Sequence, residues 1–335
     1  AIANLKANVA GRATANAAKA LKARAALYTK DYSTAETLST EVINALKGTG
    51  VALVTPFKKD LSVDHDALER VVNYNIDNDI DYLVVMGTTG ESVTVSKSEK
   101  INILKTVSRV NNGRLPLVLG IGGNDTRAVI EEIQMTDLSE ITAILSVSPY
   151  YSKPTQEGIY QHFKAISQAS PKPIIVYNVP GRTSKNMLPN TVLRLASDFK
   201  NIVAVKEAGN NTQQYLELLK NKPKDFLVIS GDDDLALGTV LAGGAGVISV
   251  LGQAFPKEFS KMIRLGVSGN TKEAHELHFK LMPITSLIFR ENNPAGIKAV
   301  LNSMELCLDV VRLPLVAASN SLKTDIKSFI MNYGQ

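Results

Sequence analysis

A single cysteine, Cys307, stands in 335 residues, so no disulfide can form within the chain, and a reducing, cytoplasmic setting is the expected one. No apolar run approaches the ~18 residues needed to cross a membrane, and no segment joins a charged start to an apolar middle as a secretory signal does. Cysteine and histidine do not cluster, so no metal is expected: His65, His162, His275 and His278 read as surface or packing residues. The run Asp232-Asp233-Asp234 does not change that expectation, because carboxylates adjacent in sequence rarely converge on one ion. A glycine-rich dinucleotide turn is also missing after the first β-branched run, where Thr55-Pro56-Phe57 stands instead.

What is present is 44% hydrophobic and 21% charged, enough apolar material for one large core. The net charge of +5 is unevenly placed. Six of the 37 cations lie in residues 1–30, where there is no acid, which leaves 31 cations against 32 anions in the rest. The body is thus almost neutral, and no nucleic-acid partner is expected.

The N-terminal stretch is a separate block of composition, with twelve alanines in its first 26 residues and Ile2, Leu5 and Val9 at helical spacing. Ser33-Thr34-Ala35-Glu36 has the pattern of a capping box, followed by Leu38, Val42, Ile43 and Leu46 before Gly48 closes the helix. Residues 1–46 therefore read as a thin helical extension. Its acid-free, alanine- and arginine-rich start also has the composition of an organelle transit peptide, and the missing initiator methionine and abrupt change fit a fused or engineered segment.

From residue 49 the chain repeats one unit: a short β-branched run, a polar loop and an amphipathic stretch of helical length. The runs are 51–55, 82–86, 115–120, 143–147, 174–177, 202–206, 226–230 and 246–250. Eight such units in about 200 residues predict parallel strands with crossover helices closed into a (β/α)8 barrel over residues 47–255, with a helical region over 256–335.

In such a barrel the chemistry lies at the C-terminal ends of the strands. There the sequence places Thr55, Gly87-Thr88-Thr89-Gly90-Glu91, Tyr150-Tyr151, Tyr177, Arg182, Lys206, Gly231 and Ile248. Lys206 ends the apolar run 202–205. A free lysine amine has a pKa near ~10.4, and a desolvated strand-end pocket can lower such a value towards ~7–8 and expose the nucleophile. Taken alone, a strand-end lysine of this kind more often reaches into solvent. Gly87-Thr88-Thr89-Gly90-Glu91 lacks the ending of a Walker loop and reads either as a tight capped turn or as a cradle for a small carboxylate.

Together with the run from Tyr150 to Gly158, with Tyr177-Asn178-Val179-Pro180-Gly181-Arg182-Thr183 and with Val205-Lys206-Glu207-Ala208, that motif resembles the dihydrodipicolinate synthase / N-acetylneuraminate lyase family. The similarity to its dihydrodipicolinate synthase branch runs from about Lys47 to the C-terminus with the motifs in order; residues 1–46 lie outside it. The resemblance implies a class I aldolase-type lyase of lysine and diaminopimelate biosynthesis. In that reading Lys206 forms a Schiff base with pyruvate, and the enamine adds to aspartate 4-semialdehyde to give 4-hydroxy-tetrahydrodipicolinate.

It further implies a proton relay in which Thr89 connects Tyr177 to a Tyr151 entering from a neighbouring subunit, within a homotetramer built as a dimer of dimers. Arg182 would meet the carboxylate of the semialdehyde, Thr88 and groups near Thr89 the pyruvate carboxylate, and Gly231 and Ile248 the walls, with Thr55 beside them. No metal or organic cofactor is implied, since the lysine imine is the electron sink. Where lysine-inhibited relatives carry a glutamate, Ala128 stands, and Lys97 and Lys100 occupy two further effector positions, so weak or absent feedback by lysine is expected. Sister pyruvate aldolases such as N-acetylneuraminate lyase, and a barrel serving as scaffold for the N-terminal segment, are the alternatives.

Overall fold

The computed structural model describes residues 43–333, so the expected helical extension falls almost wholly outside the described residues. Eight parallel strands close into a barrel in sequence order, with β8 paired back to β1. They are β1 (Gly48–Ala52), β2 (Tyr82–Val85), β3 (Leu117–Gly120), β4 (Ala143–Val147), β5 (Ile174–Asn178), β6 (Ile202–Glu207), β7 (Leu227–Ser230) and β8 (Gly246–Ser249). The ring between and after them comprises α1 (His65–Ile76), α2 (Lys97–Asn111), α3 (Thr126–Met135), α4 (Gln156–Ala169), the single turn α5 (Pro180–Thr183), α6 (Pro189–Asp198), α7 (Thr212–Asn221), α8 (Ala236–Leu241) and α9 (Pro256–Val267). Three further helices follow, α10 (Thr271–Arg290), α11 (Ala295–Ser303) and α12 (Asn320–Tyr333). No helix among the described residues is long and apolar enough to cross a membrane.

Strand side chains alternate between two faces, and the buried apolar residues accordingly divide into two clusters. Ala52, Val84, Val118, Leu145, Ile175, Ala204, Ile229 and Ile248 fill the lumen, which Leu46 plugs at its N-terminal end. Val51, Leu83, Leu119, Ile144, Val176, Val205, Val228 and Val247 face the helices. Tyr177 lies two residues past Ile175 and Lys206 two past Ala204, so both extend the lumen face to the C-terminal mouth.

One irregularity sits between β5 and β6. Ile174 pairs with Ile202 but Ile175 pairs with Ala204, leaving Val203 as an extra residue on β6. Beyond this bulge Val176 faces Val205, Tyr177 faces Lys206 and Asn178 faces Glu207.

β1 begins at Gly48, three residues before the β-branched run expected at 51–55. Gly48, expected to close a helix, instead opens the strand at φ +85. Gly50 is held by sterics, since a Cβ there would meet the Tyr82 ring at 2.1 Å.

Candidate active site

Lys206 is 5% exposed and Tyr177 6%, and the ammonium of the first lies 4.4 Å from the ring centroid of the second. The contact follows from the register, which sets the two residues opposite one another on the same face. Among the described residues no carboxylate pairs with Lys206, so its amine is not committed to a salt bridge. Gly231, on the loop after β7, packs directly against the lysine stem; a Cβ there would meet Lys206 Cε at 2.8 Å. Ile248 is fully buried in the lumen cluster that includes Tyr177.

The Gly87-Thr88-Thr89-Gly90-Glu91 segment forms a 3-10 turn over Thr88–Gly90, ending on Glu91 in the left-handed conformation at φ 53. Thr89 is 2% exposed and its hydroxyl accepts from Asn293 Nδ2 at 2.9 Å. Thr88 is half-buried. The Thr55 hydroxyl donates to Gly90 O at 2.6 Å in a fully buried position, so Thr55 braces the turn through that hydroxyl.

Arg182, on the short α5, is exposed and donates to Asn292 Oδ1 at 3.2 Å and to Asn293 O at 3.3 Å. The loop between α10 and α11 thus touches both the arginine and Thr89. Tyr151 is 89% exposed, with φ 68, on the loop after β4. Within one protomer the structure therefore brings Lys206, Tyr177, Gly231 and Ile248 together, binds Thr55 and Thr89 into the turn's framework, and leaves Tyr151 on the surface.

Three polar groups around the mouth escape the sequence reading. Asn293 lies in a loop without periodicity. The pair Glu91 and Lys298 joins the turn after β2 to α11, 207 residues away, and no local pattern announces it. Glu207 stands in a motif quoted from the sequence with no role of its own, yet it is 0% exposed and bound to Asn178, Gln214 and the backbone of Gly209. Burial pushes its carboxyl up, against these hydrogen bonds. Asp233, from the acidic run, is buried and accepts from the backbone of Val250 and Leu251, a structural use of its charge.

Residues 45–332 match the model of the Dihydrodipicolinate synthetase family. The chain is 58% identical over 287 residues to a 4-hydroxy-tetrahydrodipicolinate synthase of Flavobacterium psychrophilum, an alignment covering 86% of this chain and 98% of that protein. It is 52% identical over 271 residues to the protein of the same name from Phocaeicola vulgatus, covering 81% and 91%. Among solved structures, one described as a monomeric dihydrodipicolinate synthase variant superposes with a TM-score of 0.85 at 38% identity, covering 87% of this chain and 98% of that one. The dihydrodipicolinate synthase of Thermotoga maritima gives 0.84 at 39% identity, covering 86% and 98%.

Proposed function

The chain belongs to the dihydrodipicolinate synthetase family, and we propose on that footing that it condenses pyruvate with L-aspartate 4-semialdehyde to give 4-hydroxy-tetrahydrodipicolinate. This is a carbon–carbon bond-forming step of lysine and diaminopimelate biosynthesis, run by a lyase of the Schiff-base type. The observation that carries the residue assignment is the facing pair at the lumen mouth, Lys206 Nζ over the Tyr177 ring at 4.4 Å.

The Lys206 amine adds to the ketone of pyruvate and water leaves, forming an iminium that withdraws electrons from the adjacent methyl group. The methyl loses a proton, and the resulting enamine carbon attacks the aldehyde of the semialdehyde. The amine of that second substrate then attacks the imine carbon, closing the ring and releasing Lys206. The covalent lysine imine is the electron sink, and no metal or organic cofactor enters these steps.

Each proton transfer needs a hydroxyl near the imine, and we give that part to Tyr177, whose ring centroid lies 4.4 Å from Lys206 Nζ. The sequence reading assigns the next relay member to Thr89. Since the Thr89 hydroxyl accepts from Asn293 and keeps its own proton for an anion, we assign the relay to Thr88 and give Thr89 the pyruvate carboxylate, together with backbone amides of the turn. Arg182 stands at the entrance, where its planar fork suits the carboxylate of the semialdehyde. The 89% exposure of Tyr151 in a single protomer supports its completing a neighbour's mouth, in a homotetramer made of two tight dimers. A cytoplasmic location is part of the same reading.

Reduction with borohydride in the presence of pyruvate tests the assignment. The protein should gain one pyruvyl adduct on Lys206. An unmodified protein, or an adduct that persists in Lys206→Ala, overturns it.

A further inference from the structure

The two strands that carry Lys206 and Tyr177 into the lumen carry Glu207 and Asn178 to the opposite face. Both outer side chains are fully buried, and Asn178 Nδ2, which also donates to Asn186 Oδ1 at 2.8 Å, is shared between the two carboxylate oxygens, 3.0 Å from Glu207 Oε1 and 2.9 Å from Oε2. Gln214 Nε2 donates to Oε2 at 2.8 Å and the Gly209 amide to Oε1 at 2.8 Å. Every partner of this carboxylate is a donor, so an acceptor-only, ionised group is the species that satisfies them all. A protonated acid, or an amide, would have to aim a hydrogen at a hydrogen.

The outer partners are themselves fixed. Asn178 Oδ1 accepts from the Met187 amide at 2.9 Å, and Asn186 and Gln214 bond each other at 2.8 Å. The Glu207 backbone carbonyl accepts from the Tyr215 hydroxyl and, at 2.6 Å, from the Gly231 amide. That second bond holds the glycine that packs on the lysine stem. These contacts gather at the last pair of the β5–β6 ladder, where the strands would otherwise be free to splay.

We infer that Glu207 is a positioning residue for the reaction: its grip on Asn178, on the outer face, sets how Lys206 and Tyr177 meet on the inner one. Glu207 reaches no reacting atom and acts through the backbone of its own strand. The inference rests on the Schiff-base reading above, and wild-type trapping by pyruvate and borohydride is the control that separates the two. If wild type is not trapped, the premise and the inference fall together.

Given a trapped wild type, Glu207→Gln should fold, while its kcat and its single-turnover trapping rate fall at least tenfold. The KM for the semialdehyde should stay within threefold, because the Arg182 guanidinium is held by Asn292 and Asn293 and makes no bond to Glu207. Exchanging the partners, in Asn178→Asp with Glu207→Gln, restores one carboxylate facing one amide and should recover at least tenfold of the loss. A folded Glu207→Gln within threefold of wild type in kcat, or a double variant showing the product of two independent losses, overturns the inference. Should Glu207→Gln fail to fold, Asn178→Ala is read by the same criteria, since it leaves the carboxylate its bonds to Gln214 and Gly209. If both fail to fold, the pair is an element of stability alone and the inference is wrong.

Discussion

Lys298 Nζ donates to Glu91 Oε1 at 2.6 Å with both side chains out of solvent. The same ammonium donates to Val310 O at 2.7 Å, and the other carboxylate oxygen accepts from the Arg312 amide at 3.0 Å. Burial pulls the lysine down, and Glu91 is the charge that holds it up. The pair fastens the threonine turn to the C-terminal helices.

Removing one member leaves an uncompensated buried charge. Lys298→Met should therefore cost about 3–5 kcal/mol in denaturant unfolding, while Glu91→Gln combined with Lys298→Met should recover more than half of that loss. A double variant as unstable as Lys298→Met alone would show that the charges are not coupled.

Tyr177→Phe keeps the ring over Lys206 Nζ and deletes only the hydroxyl. The expected result is a folded protein with kcat lower by about 10²–10³, since proton transfer is lost and packing is kept. Steady-state kinetics beside a thermal melt distinguishes this from damage to the lumen.

At Gly231 the space for a methyl group is already taken by Lys206 Cε at 2.8 Å and the Ala208 Cβ at 2.7 Å. Gly231→Ala should push the lysine stem aside, slow pyruvate trapping by roughly 10²-fold and cost about 1–3 kcal/mol through overpacking. Trapping at the wild-type rate would mean that the stem has room to move.

His162 is 4% exposed, bonded to Thr126 Oγ1 at 2.8 Å, and burial holds its imidazole down, to about 4 from an ordinary 6.5. Below pH 6.5 the unfolded chain takes up a proton that the folded one refuses, so stability falls as pH drops from about 6.5 to about 4 and then levels off. The loss is on the order of 3 kcal/mol. Unfolding curves of wild type and His162→Gln should diverge in slope within that window and run parallel above pH 7.

The exposed Ala128 offers no counter-ion to a cationic effector, and Lys100 is engaged by Glu132 at 3.0 Å. Free lysine should leave the rate unchanged below about millimolar concentration. Inhibition in an initial-rate assay at lower concentration would contradict this.

Strand periodicity carried the barrel into view, because β-branched runs such as 143–147 and 202–206 are buried on both faces and cannot be mistaken for loop. The strand-end rule then collected Lys206, Tyr177 and Gly231. The start of β1 was hidden because Gly50 is chosen by the Tyr82 ring, a contact 32 residues away. The contacts of Asn293, Lys298 and Asn178 are illegible for the same reason, although Asn178 itself stands in a quoted motif: each acts on a partner set by the closing of the barrel, and nothing in the neighbouring sequence encodes that partner.

Val203 has a consequence that belongs to chain length. An unbroken ladder from Ile174 and Ile202 would set Lys206 opposite Asn178, turning the lysine out toward the helices. The bulge means that β6 is one residue longer than its span requires. It can lose one residue anywhere between Ile202 and Lys206 and, by straightening, still deliver the lysine to the lumen. β5 holds no such reserve: a single deletion ahead of Tyr177 would exchange the faces of the tyrosine and Asn178. Of the two strands that make the pair, β6 should therefore tolerate the loss of one residue and β5 should not.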